Sequence, residues 1–390
     1  MLKTIALTLK QSKCTRKYGT ILSSELRTIS SSSLVIEMTQ NSSLDSKPKK
    51  EDLEFGKVMS DHMLIIEWKK ENGWGNPKIQ PYQNLQISPA ASCLNYGLTC
   101  FEGMKCYKDL HDKSLQLFRP DCNMERLQNS MKRLSMPGYD FCKGELINCI
   151  KKLILIDREW VPSGEGYSLY IRPNIIAMNP YLGLSSPDSL LLYVVTSPVG
   201  PYYKTGFKPV RLKTESKYVR AWPGGTGDSK VGGNYAGTML PAAKAASDGY
   251  GQILWLLGDE ITEVGAMNIF FVLVNQNGLK EIVTPPLTRG DILPGVTRRS
   301  ILDVAKSWGC LDVNERNITM KEIKNAAMNG RLLEAFGAGT AAVVTPICCI
   351  NHEGVDIDIP ATGDFTKRVF KEITDIHHGK TPHEWSVKVE

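Results

Sequence analysis

Two mixed α/β lobes with a cleft between them, an α+β arrangement, are the fold class this sequence predicts. Three observations predict it. A length of 390 residues exceeds what one hydrophobic core usually serves, so two domains are expected. Strand-length apolar runs, such as Leu190–Val195 and Ile269–Val274, occur alongside amphipathic helical patterns in both halves. Between the halves, Pro198-Val-Gly-Pro-Tyr-Tyr-Lys-Thr-Gly206 has the composition of a connector. The expected organisation is a small N-terminal domain over 37–198, a linker over 199–207 and a large domain over 208–390.

The elements follow in order. Met63-Leu-Ile-Ile-Glu-Trp68 reads as a strand, stopped by the turn signal Asn72-Gly-Trp-Gly-Asn-Pro77. Arg119-Pro120 opens a helix running to about Leu134, with the proline suited to the first turn. A second helix covers Gly144 to Arg158, where Leu146, Ile150, Leu153 and their neighbours make one apolar stripe. Strands follow at 168–172 and 190–196. Beyond the connector, strands are expected at 252–257, 269–274, 332–336 and 341–345. Helices are expected at about 298–308, 321–329 and 364–376.

Composition narrows the function. A hydrophobic content of 42% with 23% charged residues fits a soluble globular enzyme. The net charge of +6 forms no basic stripe with interleaved aromatics, so no nucleic-acid partner is expected. The longest apolar runs are too short for a bilayer span. Cysteines occur without a Cys-x-x-Cys pair and histidines without a ligand-like spacing. No metal site or disulfide framework is therefore expected. Residues 1–36 carry Lys3, Lys10, Lys13, Arg16, Lys17 and Arg27 against the single acid Glu25, with many serines. That basic, Ser-rich, acid-poor composition reads as a mitochondrial transit segment outside the fold.

The chemistry centres on a lone lysine in a glycine-rich run, Pro223-Gly-Gly-Thr-Gly-Asp-Ser-Lys230-Val-Gly-Gly-Asn-Tyr235. The glycines allow tight turns and close approach of a bound group. A lysine amine there can form a Schiff base with an aldehyde. A Walker-type loop is excluded, because Ser229 precedes the lysine and Val231 follows it; a Gly-x-Gly-x-x-Gly reading would need glycine at 230. A flexible surface loop with a solvated lysine stays open on this segment alone. Glu263 lies between a turn and a strand. Ile292-Leu-Pro-Gly-Val-Thr297 leads straight into a helix, whose first N–H groups and positive dipole end suit a phosphate. Gly337-Ala-Gly-Thr340 offers another loop of accessible N–H groups and a hydroxyl.

Taken in this order, these segments resemble the branched-chain amino acid aminotransferases, pyridoxal-phosphate enzymes of fold type IV. The likeness runs from about Phe55 to Trp385. It includes Tyr96-Gly-Leu-Thr-Cys-Phe-Glu-Gly103, Asn123-Met-Glu-Arg126, Ser168-Leu-Tyr-Ile-Arg-Pro173, Arg220-Ala-Trp222, Thr262-Glu-Val-Gly265 and Thr284-Pro-Pro286. With the basic leader, the resemblance implies a mitochondrial matrix form. It implies a homodimer with pyridoxal 5'-phosphate in the interlobe cleft and the large lobe as its main seat. The implied reaction is ping-pong transamination of L-leucine, L-isoleucine and L-valine with 2-oxoglutarate. Other fold type IV activities, a D-amino acid aminotransferase or an aminodeoxychorismate lyase, are the alternatives.

The resemblance implies residue roles as well. Lys230 carries the cofactor and shuttles the substrate proton. Tyr235 meets the ring phenolate, Glu263 the ring nitrogen, and Arg126, Val296, Thr297 and Thr340 the phosphate. Phe55, Tyr96, Phe101, Tyr170, Arg172, Tyr202 and Ala341 form the substrate pocket, with Leu184 reaching in from the partner subunit. Two departures are visible. Ala266 stands where mammalian relatives carry threonine, so the substrate carboxylate is expected to rest on Tyr235 and the N–H of Ala341. Ala342 and Thr345 replace a Cys-x-x-Cys thiol pair, so redox regulation of that kind is not expected.

Overall fold

A computed structural model describes residues 26–201, 207–360 and 363–390. In the small lobe, alternating apolar residues build a ten-stranded sheet around two long antiparallel strands, Ser168–Ala177 and Ser189–Val199. His62–Lys69 pairs with Ser189–Val199 on one side, and Met104–Lys108 with Ser168–Ala177 on the other. The helices Pro120–Arg133 and Lys143–Ile156 join the same core, contributing Met124, Leu127, Met131, Leu146, Ile150 and Leu153. Pro120 occupies the first helical turn, where its missing N–H costs nothing.

The large lobe holds a nine-stranded sheet. Its order is Glu260–Val264, Gln252–Leu257, Val210–Glu215, Val343–His352, Leu332–Gly339 and Met267–Val274, and then the outer strands Lys280–Thr284 and Asp312–Glu315. Pairing of Glu260–Val264 with Met267–Val274 closes the first six of these strands into a ring. Val210–Glu215 is parallel to both its neighbours. The helices Val296–Trp308 and Asp364–His377 pack outside on Phe270, Phe336 and Val344.

Two expected boundaries are corrected. Residues 27–36, expected as leader outside the fold, are part of the small lobe. Ile29 is fully buried in its core, Ser31 binds Glu145 through its N–H at 2.5 Å and its hydroxyl at 2.7 Å, and Val35–Ile36 adds a parallel strand to Lys78–Pro81. The remainder of the expected leader, 1–25, lies outside the described residues. At the other end, Ser386–Lys388 leaves the large lobe and pairs with Leu115–Phe118, and Val389 enters the small-lobe core. The helix Met239–Ser247 adds an element the sequence pattern does not announce: it buries only Pro241 and Ala245, so it shows no apolar stripe.

Candidate active site between the lobes

Lys230 sits where the lobes meet. Its carbonyl accepts the Phe101 N–H at 3.0 Å, and Val231 bridges Cys100 of the small lobe. Its own N–H donates to Ser130 Oγ at 2.9 Å, so the helix Pro120–Arg133 fixes the lysine backbone. Gly227 in the same run lies so close to the Asp291 carbonyl that a Cβ there would stand 2.5 Å away. The run is therefore built in, rather than a loose surface loop.

A cavity of about 530 Å³ opens at the lysine side chain. Lys230 Nζ donates to Tyr235 Oη at 3.3 Å and lies 4.7 Å from the Phe101 ring centre. Burial, reinforced by Arg126, lowers its pKa to about 7. Burial raises the Tyr235 hydroxyl to about 12.

Two buried ion pairs flank the lysine. Arg126, on the buried face of its helix, binds Glu102 through Nε at 2.7 Å and Nη2 at 2.8 Å, and its Nη1 donates to the Pro294 carbonyl at 3.0 Å. Burial opposes ionisation of Glu102, but Arg126, Lys230 and Asn123 together hold its carboxyl below the usual range. Arg220 Nη1 lies 2.6 Å from Glu263 Oε2. Asn268, paired with Glu263 across the hairpin, donates to its other oxygen at 3.2 Å. Burial lifts the Glu263 carboxyl to about 7 against the pull of Arg220.

Val296 and Thr297 line the cavity at the start of a thirteen-residue helix whose N-cap is Gly295, with no side chain capping it. Those first N–H groups are left for an anion. Thr340 and Ala341 lie on the turn opposite, after the strand Leu332–Gly339. Phe55, Phe101, Tyr170 and Arg172 complete the wall; the Phe55 and Tyr170 rings meet edge to face at 4.7 Å. Arg172 donates to Tyr170 Oη at 3.1 Å and stacks on Phe101, while its Nε is buried with no hydrogen-bond partner.

The structure thus brings together Lys230, Arg126, Tyr235, Glu263, Val296, Thr297, Thr340, Phe55, Phe101, Tyr170, Arg172 and Ala341. It does not bring Tyr96 or Leu184 to this cavity. Tyr96 is exposed and its hydroxyl donates to the Leu182 carbonyl; Leu184 is 70% exposed on the same segment. Tyr202 lies outside the described residues. Sequence reasoning missed the roles of Glu102, Arg220 and Asn268. The signal available was an acid or base inside a quoted motif, Phe101-Glu102-Gly103 and Arg220-Ala-Trp222.

Residues 99–350 match the amino-transferase class IV family model, and the chain belongs to that family. Its relatives include the branched-chain-amino-acid aminotransferase of Dictyostelium discoideum, 50% identical over 92% of this chain and 95% of the relative. The cytosolic enzyme of that name from Saccharomyces cerevisiae is 49% identical over 93% and 98% of the two chains. The mitochondrial one from Schizosaccharomyces pombe is 47% identical over 90% and 84%. Among solved structures, the branched-chain aminotransferase of the archaeon Thermoproteus uzoniensis, with norvaline, superposes with a TM-score of 0.66. It is 25% identical and covers 84% of this chain and 100% of its own. The fold is that of the fold type IV enzymes.

Proposed function

We propose that this chain transaminates L-leucine, L-isoleucine and L-valine with 2-oxoglutarate, using pyridoxal 5'-phosphate. The observation that carries the reading is a buried lysine amine, with pKa lowered to about 7, flanked by the Arg126–Glu102 and Arg220–Glu263 pairs. This donor set fits the cofactor. It offers an amine for the aldehyde, a buried carboxyl for the ring nitrogen, and Arg126 beside an uncapped helix N-terminus for the phosphate. When bound, the cofactor supplies an electron sink for the electrons of the substrate Cα–H bond.

The chain's own groups do the rest. Lys230 Nζ, partly neutral near pH 7, would serve as nucleophile, then take the proton from the substrate Cα and deliver it to the carbon that was the cofactor's aldehyde. Glu263 holds a proton at the ring nitrogen, with Arg220 and Asn268 fixing its orientation. Glu102 keeps Arg126 extended and charged, leaving N–H groups for the phosphate. The unpartnered Arg172 Nε and the Tyr170 hydroxyl give the apolar pocket a polar rim, so glutamate fits as well as leucine. Phe55, Phe101 and Tyr170 make the pocket wall, where one methylene changes binding by only about 1–3 kcal/mol. Three branched substrates then share one site.

Two finer readings belong with this one. The basic, Ser-rich residues 1–25 support a mitochondrial location, while relatives of both mitochondrial and cytosolic description exist. Exposed Leu94, Tyr96, Leu182 and Leu184 support a homodimer in which Leu184 enters the partner's pocket. The test of function is an absorbance spectrum of the holoenzyme. L-Leucine alone should bleach the visible cofactor band and 2-oxoglutarate should restore it, and Lys230→Ala should abolish turnover. A band that ignores L-leucine but bleaches with D-alanine refutes the substrate assignment.

A further inference from the structure

A second cavity, of about 420 Å³, lies between the lobes and shares the Ala341–Ala342 turn with the first. Its walls come from the strand carrying Lys105, from the strand after the turn, and from the helix Asp364–His377. Tyr107, Val344, Pro346 and Phe370 give it an apolar body.

Its charge is unbalanced. Lys105 is 5% exposed and its ammonium makes one hydrogen bond, to the Ala341 carbonyl at 2.7 Å. It forms no ion pair among the described residues, and burial lowers its pKa to about 8. The acids at the cavity rim are already engaged: Asp375 by Lys371, and Glu165 by Lys380. His377 and His378, on the same wall, each bury an Nδ1 with no hydrogen-bond partner. A buried ammonium with two unused donors and no counter-ion is costly, and an anion brought by a ligand would relieve that cost.

We propose that this cavity is a second binding site, for a small organic monocarboxylate with a short apolar body. The carboxylate meets Lys105, and the body lies against Val344 and Phe370. Lys105 also holds the turn that lines the catalytic cavity. Occupation draws the ammonium off the Ala341 carbonyl and slows turnover without displacing the amino substrate.

The probe is 4-methylvalerate, titrated into the holoenzyme by calorimetry and followed in parallel by steady-state inhibition against L-leucine. Two binding events per chain and a non-competitive component are expected. Lys105→Met should weaken one event by about tenfold or more, the scale of one hydrogen bond to a charged group. Thr374→Trp fills the cavity from its helix and leaves Lys105 in place. It should remove the same event while leaving uninhibited turnover unchanged, and it carries the test if the Lys105 variant fails to fold. A single event per chain, with purely competitive inhibition unaltered in Thr374→Trp, overturns the proposal. Calorimetry reads this site whichever amino acid proves to be the substrate.

Discussion

Replacing Glu102 by glutamine keeps the shape of the side chain and removes its charge. Glu102 is fully buried and receives Arg126 Nε at 2.7 Å, Arg126 Nη2 at 2.8 Å and Asn123 Nδ2 at 2.8 Å. In glutamine one of those oxygens becomes an NH2 group facing donors, so the two-pronged contact is lost. Arg126 would keep only neutral partners for a buried charge, the remaining glutamine oxygen and the Pro294 carbonyl at 3.0 Å. Removing one member of such a pair costs about 3–5 kcal/mol. In a lobe of this size each kcal/mol shifts the melting temperature by roughly 2–4 °C. A drop on the order of 10 °C is therefore expected for the cofactor-free protein, read by circular dichroism. The double variant Glu102→Gln/Arg126→Met leaves neither member of this pair as an unpaired buried charge and should recover most of that drop. Its affinity for pyridoxal phosphate should nonetheless stay low, because Arg126 is gone. A Glu102→Gln protein that melts with the wild type, or a double variant that melts no higher than the single, refutes the reasoning.

Lys230 should titrate near 7 in the cofactor-free protein, against 10.5 for an ordinary lysine. Its folded pKa lies below its unfolded one, so its contribution to stability rises with pH between those values; NMR of 13C-methylated lysines checks the titration, and a midpoint near 10 would contradict it. Gly295→Ala would set a Cβ 2.1 Å from Asn268 Oδ1 and push Asn268 off Glu263 and the Leu293 carbonyl, so weaker cofactor binding is expected in a fluorescence titration. A chain beginning at residue 37 loses the burial of Ile29, worth about 1.5–3 kcal/mol, and should melt several degrees below one beginning at residue 26.

What is legible in the sequence is what is local. The helix at Pro120 announces itself by a helical pattern opened by a proline suited to its first turn, and the structure starts and ends it within a residue of the reading. The Val296 helix follows from its Pro-Gly turn in the same way. Pairings between distant segments leave no such mark. The pairing of Val210–Glu215 with Val343–His352, that of Met267–Val274 with Leu332–Gly339 and the return of Ser386–Lys388 to the small lobe each depend on contacts far apart in the chain. Residues 27–36 mislead because serines and basic side chains dominate the composition of the leader, while what ties them to the fold is one buried isoleucine, one serine and a two-residue strand, Ile29, Ser31 and Val35–Ile36. In the site, the motifs locate Lys230, Arg126 and Glu263 but not their partners. Glu102 and Arg220 act by compensating a buried charge, and that need appears only once burial is known.

The charges of the site explain why those partners are there. Among the described residues, the Arg126, Arg172, Arg220 and Lys230 cations gather with the Glu102 and Glu263 carboxylates, while Asp291, near Glu263, is taken up by Arg289. Arg126, Arg172 and Arg220 all depress the Lys230 amine, and Glu102 alone among its leading influences raises it. Remove Glu102 and the amine falls further while Arg126 is left costly; in the proposed function, removing Arg126 would also take the cation from the phosphate. A phosphate group brings about −1.5 to −2 charges, close to the local excess of positive charge when both acids are ionised. The cavity is therefore balanced for an anionic cofactor, and Glu102 sets how much of that balance reaches the lysine.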